Sequence, residues 1–216
     1  MKYIAAFGVL AIVCAPLASR AQSLSIVPRP QRVAPLRCPS PLYLSRPLRV
    51  RRDFDAAAFE EVNERWRALG IPGLIRSGGL PDITAIRGSR LGAQGYRMVV
   101  APVAAPIRVF LVGGDNAGIF YAAMTLAQLP QRVNGRWQLP CVAIHDQPAL
   151  RWRILSDDVS RGPLPTMRYF KERIRTIAAF KMNGYSPYME HVFLDPRNPL
   201  PAPLDGITPA QFRELA

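Results

Sequence analysis

Charged side chains that could bind or protonate a ligand are grouped in two short segments of the last third of the chain. Asp157, Asp158 and Arg161 follow one apolar run, and Glu190 and His191 follow another. Carboxylates and imidazoles can transfer protons, and a guanidinium presents five N–H donors in a fixed plane. Acid–base chemistry and the binding of a polar ligand are therefore the two chemistries that these residue types allow.

The elements around these residues follow the order strand, loop, helix, strand. Residues Arg151 to Leu155 form a short run with an apolar end, and a turn-rich polar loop follows from Ser156 to Pro163. A helix is then predicted from apolar residues at three- and four-residue steps, namely Met167, Phe170, Ile174, Ile177 and Ala178. Gly184 ends that pattern, and an aromatic strand follows. In parallel α/β folds ligands lie at the carboxyl ends of the strands, so we expect the two aspartates and Arg161 at a ligand-binding edge.

Residues 22–148 predict a separate α+β domain with a small, mainly antiparallel sheet and two helices. Its strongest strand is Ile107 to Val112, and the alternating segment Tyr96 to Val100 would pair with it in a hairpin. The other predicted elements are an edge strand at Leu48–Arg51, a helix from Asp53 or Asp55 to Leu69, a turn from Pro102 to Pro106, a helix after Asp115, a tight turn at Asn134-Gly135 and a strand from Trp137 to Ile144.

The segment His145–Pro148 is interpreted as a hinge to a second unit, residues 149–216. His145 and Asp146 could instead form an acid–base pair, although a hinge accounts for them more simply. The second unit contains two strands, one complete helix and the start of another helix, capped by Thr208. Two strands cannot form a parallel sheet that is covered on both faces. We therefore expect this unit to be incomplete and the chain to be the front part of a longer protein.

The first 21 residues have the pattern of a secretory signal peptide. Lys2 provides a basic start, Ile4 to Leu17 is apolar, and Ala21 ends a small-residue cleavage site. The apolar run is too short for a comfortable membrane span, with an uncleaved anchor as the alternative. The predicted location is the periplasm or the extracellular space, without stable membrane insertion.

The chain is strongly basic, with a formal net charge of +13. Of its 28 basic residues only Lys2, Lys171 and Lys181 are lysines. Such a charge fits a polyanionic partner such as nucleic acid, an acidic glycan or a membrane surface. The arginines are scattered, however, and the densest run is Arg49–Arg52. We therefore interpret the charge as compositional, and we predict no nucleic-acid partner.

Two cysteines, Cys38 and Cys141, would remain after removal of the signal peptide. In an exported protein they could form one disulfide, and two buried free thiols are an equal alternative. The sequence has no C-x-x-C motif and no cluster of metal-ligand residues, so neither a metal nor another cofactor is predicted. The oligomeric state is left open.

Five motifs carry a resemblance to a known family: Ile26–Pro30, Gly118–Leu129, Ile144–Pro148, Trp152-Arg153 with Asp158–Arg161, and Lys181–Asn183. Their order and spacing resemble the N-terminal part of glycoside hydrolase family 20, the β-N-acetylhexosaminidases. The second motif is similar to the family's G-x-F-Y-G-x-x-T-L-x-Q-L helix, and the fourth is similar to its W-R-G-x-x-L-D-x-S-R-H pattern. Ile154 and Gly162 depart from that pattern, and the segment after Asn183 also resembles family 84. The chain therefore resembles a divergent member.

This resemblance implies a small α/β domain followed by a (β/α)8 barrel that carries the active site. On that basis Arg161 would contact hydroxyl groups of a bound sugar, and Glu190 would be a contact at the mouth of the barrel. Asp158 would orient Arg161 without taking part in the chemistry itself. The alternative is that Arg161 only stabilises its own loop by pairing with Asp157 or Asp158.

The resemblance also implies a substrate-assisted, retaining mechanism that depends on an adjacent Asp-Glu pair. The glutamate would protonate the leaving oxygen, and the aspartate would steady the acetamido group of the substrate. No Asp-Glu dipeptide occurs in this sequence, so no catalytic residue is assigned in the chain. The predicted function is the N-terminal part of an exported glycosidase acting on terminal N-acetylhexosamine, inactive by itself. A non-catalytic glycan-binding module is the alternative.

Overall fold

The computed structural model describes residues 24–102, 107–198 and 206–215. The elements in chain order are β1 (Arg32–Pro35), β2 (Leu42–Tyr43), β3 (Leu48–Val50), α1 (Ala56–Ala68), β4 (Leu74–Arg76), β5 (Ile83–Arg87), β6 (Tyr96–Pro102), β7 (Ile107–Gly113), α2 (Asn116–Gln128), β8 (Gln131–Val133), β9 (Arg136–Leu139), β10 (Val142–Asp146), β11 (Ile154–Asp158), α3 (Met167–Ala179), β12 (Gly184–Tyr188) and α4 (Pro209–Leu215). Within these ranges no helix has both the length and the apolar character needed to cross a membrane.

A seven-stranded sheet of order β1-β10-β6-β7-β5-β3-β4 forms the first unit. Strands β1, β10, β6 and β7 pair antiparallel, and β7, β5, β3 and β4 pair parallel. The sheet is therefore mixed, where the sequence predicted a mainly antiparallel one. The parallel half arises because α1 carries the chain back between β3 and β4, so that both strands run in one direction. Leu48 and Val50 are consequently buried in the interior of the sheet, and β3 is not the edge strand that was predicted.

The two predicted helices are confirmed, and local capping explains where they begin. Asp55 accepts a hydrogen bond from the Ala58 amide at 2.7 Å, and Asp115 accepts one from the Gly118 amide at 2.7 Å. A side chain at Gly118 would lie 2.3 Å from the Gly95 carbonyl oxygen, so glycine is needed where α2 crosses β6. Both helices pack into the core with the apolar face of the sheet.

A separate three-stranded sheet, β2-β9-β8, contains the predicted tight turn. Asn134 and Gly135 join β8 to β9 with φ values of 49° and 77°, which confirms that turn. The predicted single strand from Trp137 to Ile144 is wrong. Pro140 separates it into β9 and β10, which belong to different sheets, because proline cannot continue a hydrogen-bonded ladder.

The second unit consists of β11 and β12, paired in parallel, with α3 between them in the chain and α4 beyond. Strand β11 begins at Ile154 and not at the predicted Arg151, so both Asp157 and Asp158 lie within the strand. Exposure alternates along β11, and Phe170 of α3 is fully buried in a small apolar core beneath the two strands. Helix α4 begins at the predicted position after Thr208.

A buried polar cluster joins the two units; we call Lys181, Asp146, Tyr96 and Thr125 the Lys181 cluster. The Lys181 ammonium donates to the Asp146 carboxylate at 3.0 Å and to the Tyr96 hydroxyl at 2.8 Å. The Tyr96 hydroxyl also donates to Asp146 at 3.1 Å and lies 2.6 Å from the Thr125 hydroxyl. Lys181 comes from the second unit and the other three from the first, so the cluster fixes one unit against the other.

Arg153 makes a second set of contacts across the same joint. Its guanidinium donates to the Lys181 carbonyl at 2.7 Å, to the Gln94 side chain at 2.6 Å and to the Tyr121 hydroxyl at 3.3 Å. The Asn183 side chain accepts from the Arg153 amide at 2.8 Å. Arg153 precedes β11 and Asn183 precedes β12, so these bonds fix the starts of both parallel strands relative to the first unit.

Cys38 and Cys141 form a disulfide, which decides between the two alternatives that the sequence allowed. The bond connects the segment after β1 to the residue before β10. The Leu36 amide also donates to the Cys141 carbonyl at 2.9 Å, so this end of the β1–β10 pair is held both covalently and by the ladder.

Asp82, directly before β5, has a buried carboxylate that accepts hydrogen bonds from two arginines. The Arg46 and Arg49 guanidinium groups donate to it at 2.9–3.3 Å, and the Arg49 amide donates at 2.8 Å. Burial acts to raise the pKa of Asp82, but these hydrogen bonds outweigh it and hold the pKa well below its usual range. The carboxylate therefore adds stability above the pKa of an unfolded aspartate, and this stability is lost as the pH falls through the folded pKa.

We expect Asp82→Asn to lower the free energy of unfolding by about 2 kcal/mol near neutral pH. The difference from the unchanged chain should shrink below about pH 4, where an unfolded aspartate binds a proton. Urea unfolding at neutral and acid pH measures both effects. Asp53→Asn is the matched control, because Asp53 pairs with Arg51 at 3.0 Å while its side chain is 69% exposed. Equal effects of the two substitutions would show that burial of Asp82 adds nothing.

Candidate functional site

The carboxyl ends of β11 and β12 lie side by side, with Asp158 opposite Tyr188 in the parallel register. Arg161 follows β11 and Glu190 follows β12, and the register brings their charged groups within 3.6 Å of each other. The Arg161 side chain is 79% exposed, so its remaining N–H donors face solvent. Two of the predicted site residues therefore meet at the edge where parallel α/β folds bind ligands.

Glu190 is held in place from two sides. Its carboxylate accepts a hydrogen bond from the Tyr188 hydroxyl at 3.1 Å and pairs with Arg161. The hydrogen bond to Glu190 raises the pKa of Tyr188, so this hydroxyl remains a donor at neutral pH. Glu190 has a φ of 43°, in the left-handed region that non-glycine residues seldom adopt. Such backbone strain often marks functional positions.

Asp158 stabilises the loop that carries Arg161. Its carboxylate accepts hydrogen bonds from the Ser160 hydroxyl at 2.6 Å and from the Ser160 amide at 2.9 Å. The Ser160 hydroxyl, the Ser160 amide and, to a smaller extent, the nearby Arg161 charge lower the pKa of Asp158. Asp158 therefore shapes the turn before Arg161, and the carboxylate that pairs with Arg161 is Glu190, neither Asp157 nor Asp158.

Asp157 points to the opposite face of β11, toward α3. Its carboxylate accepts hydrogen bonds from the Tyr185 hydroxyl at 2.9 Å and from the Tyr169 hydroxyl at 3.1 Å, and it lies 3.5 Å from the Arg173 guanidinium. Burial and the Asp157 charge raise the pKa of Tyr185. Asp157 thus connects the strand pair to α3 and lies apart from the Arg161–Glu190 edge.

The other candidate groups are placed elsewhere. Asp146 binds Lys181 and Tyr96 and is not paired with His145 for acid–base chemistry. His145 and Asp146 are the last residues of β10, so the predicted hinge at His145–Pro148 is wrong for these two residues, which are held in the sheet by their pairing with β6. His191 is exposed beside Glu190. Among the described residues, no group of three or more His, Cys, Asp or Glu side chains could hold a metal ion.

The first unit matches a known family along its whole length. The family model described as glycosyl hydrolase family 20, domain 2, covers residues 23–147, more than half of the chain. The chain belongs to glycosyl hydrolase family 20. The resemblance inferred from its five sequence motifs is therefore confirmed.

Solved structures of family 20 enzymes have the same fold at low sequence identity. The β-N-acetylhexosaminidase of Streptomyces coelicolor A3(2) aligns with 88% of this chain at 22% identity and a TM-score of 0.71, over 42% of its own length. The chitobiase of Flavobacterium johnsoniae aligns with 89% at 19% identity and 0.68, over 32% of its length. The β-N-acetylhexosaminidase of Bacteroides fragilis aligns with 81% at 22% identity and 0.64, over 35%. The chain thus spans less than half of each of these family 20 proteins.

Four of the five family 20 motifs contribute residues to the contacts between the two units. Tyr121 and Thr125 of the G-x-F-Y helix contact Arg153 and Tyr96, and Lys181 of the K-x-N motif binds Asp146. Sequence reasoning missed this role. The sequence did contain a signal for these contacts. Tyr121 and Thr125 carry hydroxyl groups in the otherwise apolar helix α2, and buried hydroxyl groups need polar partners.

Proposed function

We propose that the second unit is the start of a (β/α)8 barrel and that Arg161 and Glu190 form part of its sugar-binding edge. The chain would then be the N-terminal part of an exported glycosidase acting on terminal N-acetylhexosamine. The single observation that carries the proposal is the contact of Arg161 with Glu190 across two parallel strand ends, in a chain that belongs to family 20.

Two features support the assignment of the barrel. Residues 1–147 make up about two thirds of the chain, so an alignment of 88% with a family 20 structure must include part of the second unit. In addition, Ile154 and Tyr188 are about half exposed on the face of β11 and β12 that is turned away from α3. In a barrel that face is filled by side chains from the other strands.

The chemistry of the edge suits a sugar better than it suits proton transfer. A guanidinium can donate in parallel to two neighbouring hydroxyl oxygens, and a carboxylate can accept from hydroxyl groups. Glu190 is engaged with Arg161 at 3.6 Å and accepts a hydrogen bond from the Tyr188 hydroxyl, which places it to hold a ligand at this edge. Their proposed role is to hold the substrate.

Cleavage would require groups that this sequence does not contain, since it has no Asp-Glu dipeptide. The family mechanism uses such a pair with the acetamido group of the substrate as the nucleophile. We therefore propose that this chain contributes to substrate binding and that another part of the barrel performs the proton transfer.

Binding of N-acetylglucosamine, followed by saturation-transfer NMR, tests the proposal. We expect weak binding, with a dissociation constant on the order of millimolar, and a loss of about ten-fold or more in Arg161→Ala. Glu190→Gln should weaken binding less, because the amide still accepts a hydrogen bond. Arg168→Ala is the control, since Arg168 is 86% exposed and pairs with Glu172 on its own helix. Unchanged binding in Arg161→Ala would refute the sugar-binding role.

A non-catalytic glycan-binding module is the second candidate, because the Arg161–Glu190 edge offers groups that can hold a sugar. Both candidates predict sugar binding by the 216-residue chain without hydrolysis of a chromogenic N-acetyl-β-glucosaminide. They differ in the product of the complete reading frame. Hydrolysis by that product supports the glycosidase, and binding without hydrolysis supports the module.

Export is part of the same proposal. The first 21 residues have the pattern of a signal peptide, and disulfides such as Cys38–Cys141 form and persist in oxidising compartments. Peptide mapping of the protein recovered from its own cells should find an N-terminus at Gln22. Recovery of the intact N-terminus would favour an uncleaved anchor.

A further inference from the structure

The seven-stranded sheet has one face packed into the core and one face turned outward, which we call the outer sheet face. Residues that pair directly on neighbouring strands share a face. Two adjacent rows cross the outer sheet face: Arg32, His145, Arg97, Val112 and Ile86 form the first, and Ala34, Ala143, Val99, Phe110 and Thr84 form the second. On the central strands β6 and β7 the residues between the two rows, Met98 and Leu111, are fully buried on the other face.

Large apolar side chains are exposed at one side of the outer sheet face. Ile86 is 54% exposed and Phe110 is 40% exposed. Ile75, 46% exposed, lies on the same face but apart from the two rows, opposite Arg49 and two strands from β5. Val99 and Val112 fill the space around Phe110 and are partly exposed. Grouped exposed apolar residues on a folded domain commonly mark an interaction surface.

Positive charge adjoins this apolar group and is not neutralised by nearby carboxylates. Arg32 and Arg97 are exposed, and no ion pair forms to either of them within the described residues. The carboxylate of Asp82, next to the rows, is fully buried beneath Arg46 and Arg49, which leaves a net positive charge there. The basic residues of α3 differ, since Arg168, Lys171, Arg173 and Arg175 each pair with a carboxylate.

We propose that the outer sheet face docks reversibly on an anionic lipid surface. Exposed apolar side chains such as Phe110 and Ile86 would enter the boundary between headgroups and acyl chains. The adjoining arginines would bind lipid phosphates, each adding to the attraction near a negatively charged leaflet. The Arg161–Glu190 edge belongs to the other unit, so docking through the sheet leaves that edge free.

The combination of the two kinds of residue favours lipid over other polyanions. A polysaccharide or a nucleic acid backbone would use the arginines and leave Ile86, Ile75 and Val112 without a partner. Nucleic acid also needs several aromatic rings for base stacking, and the two rows hold only Phe110 and the half-buried imidazole of His145. An anionic bilayer uses the arginines and the aliphatic side chains together.

Sedimentation with vesicles tests the proposal. Phosphatidylcholine vesicles with and without phosphatidylglycerol are mixed with the chain at low and at physiological salt. We expect binding that requires phosphatidylglycerol and weakens with salt. The double variant Arg32→Gln/Arg97→Gln should bind roughly 25-fold more weakly, because each arginine near the surface contributes about five-fold. Ile86→Ser should also weaken binding.

Matched variants distinguish binding through the outer sheet face from a general effect of the positive charge of the chain. Arg168→Gln/Arg213→Gln removes the same charge from the exposed surface of the second unit, and Leu69→Ser removes a comparably exposed apolar side chain, 47% exposed, from the end of α1. Both should bind as the unchanged chain does, and all proteins compared share the same N-terminus. Equal weakening in the control pair would overturn the proposal, as would binding that does not depend on phosphatidylglycerol. Binding to single-stranded DNA that is lost with Arg97 while vesicle binding persists would also overturn it.

Discussion

Lys181→Met should lower the free energy of unfolding of the chain by about 3–5 kcal/mol. The substitution removes the positive charge of the Lys181 cluster and leaves the Asp146 carboxylate buried without its counter-charge. Lys181 is 5% exposed and Asp146 is 9% exposed, so water cannot replace the lost ammonium. Tyr96 and the Gln31 amide, which also donate to Asp146, satisfy hydrogen bonds without supplying a charge. Urea unfolding, followed by circular dichroism, measures the loss.

The physical reason for this size of effect is the cost of an unpaired buried charge. Burial lowers the pKa of Lys181, and the Asp146 carboxylate acts against that shift, so the buried ammonium depends on this carboxylate. Removing both charges, in Lys181→Met/Asp146→Leu, should therefore recover part of the stability that the single variant loses. Failure to recover any stability would show that hydrogen bonding, and not charge, dominates the cluster.

Lys171→Met is the matched control for this prediction. Lys171 also pairs with a carboxylate, that of Glu214, but both side chains are about half exposed. Exposed ion pairs contribute little, so the control should stay close to the unchanged chain. A Lys181 variant as stable as the Lys171 variant would mean that the two units are held together by other contacts, such as those of Arg153.

Elements with local chemical signals were predictable from the sequence. Helices α1 and α2 begin directly after Asp55 and Asp115, and both caps depend only on residues within a few positions. The Asn134-Gly135 turn is determined in the same way. The parallel order of β3, β4 and β5 was not predictable, because it depends on where the helix between two strands returns the chain.

The candidate site was predictable in part, for a related reason. Arg161 follows a strand, and its place at a strand end can be read from local patterns. Its partner depends on the pairing of β11 with β12, which puts Asp158 opposite Tyr188 and so brings Glu190 within reach. The carboxylates nearest to Arg161 in the sequence accept hydrogen bonds from other residues: Asp157 from Tyr185, and Asp158 from Ser160. Sequence proximity was therefore a poor guide to the partner of Arg161.

The start of β11 was misplaced because Arg153 looks like a strand residue in the sequence. Arg151 and Arg153 alternate with Trp152 and Ile154, which is the usual pattern of a half-buried strand. In the fold Arg153 reaches to Gln94 and Tyr121 of the first unit, and regular strand pairing begins only after it. The contacts of Arg153 with the first unit therefore override the local preference of this segment for a strand.

Replacing the disulfide by serines, in Cys38→Ser/Cys141→Ser, should lower the free energy of unfolding by about 4 kcal/mol. The two cysteines are 103 residues apart, so the bond removes a large amount of chain entropy from the unfolded state. It also ties down β1, an edge strand whose residues are all exposed and which has little packing of its own. The measurement is urea unfolding of both proteins without reductant.

Reduction of the unchanged chain gives an independent test of the same bond. Dithiothreitol should destabilise the unchanged chain by about as much as the double substitution does, and it should leave the double variant unaffected. A chain that is equally stable with and without reductant would show that pairing of β1 with β10 suffices to hold that edge. A chain that depends on the bond would fold poorly in a reducing cytosol, which is the physical argument for connecting this disulfide with export.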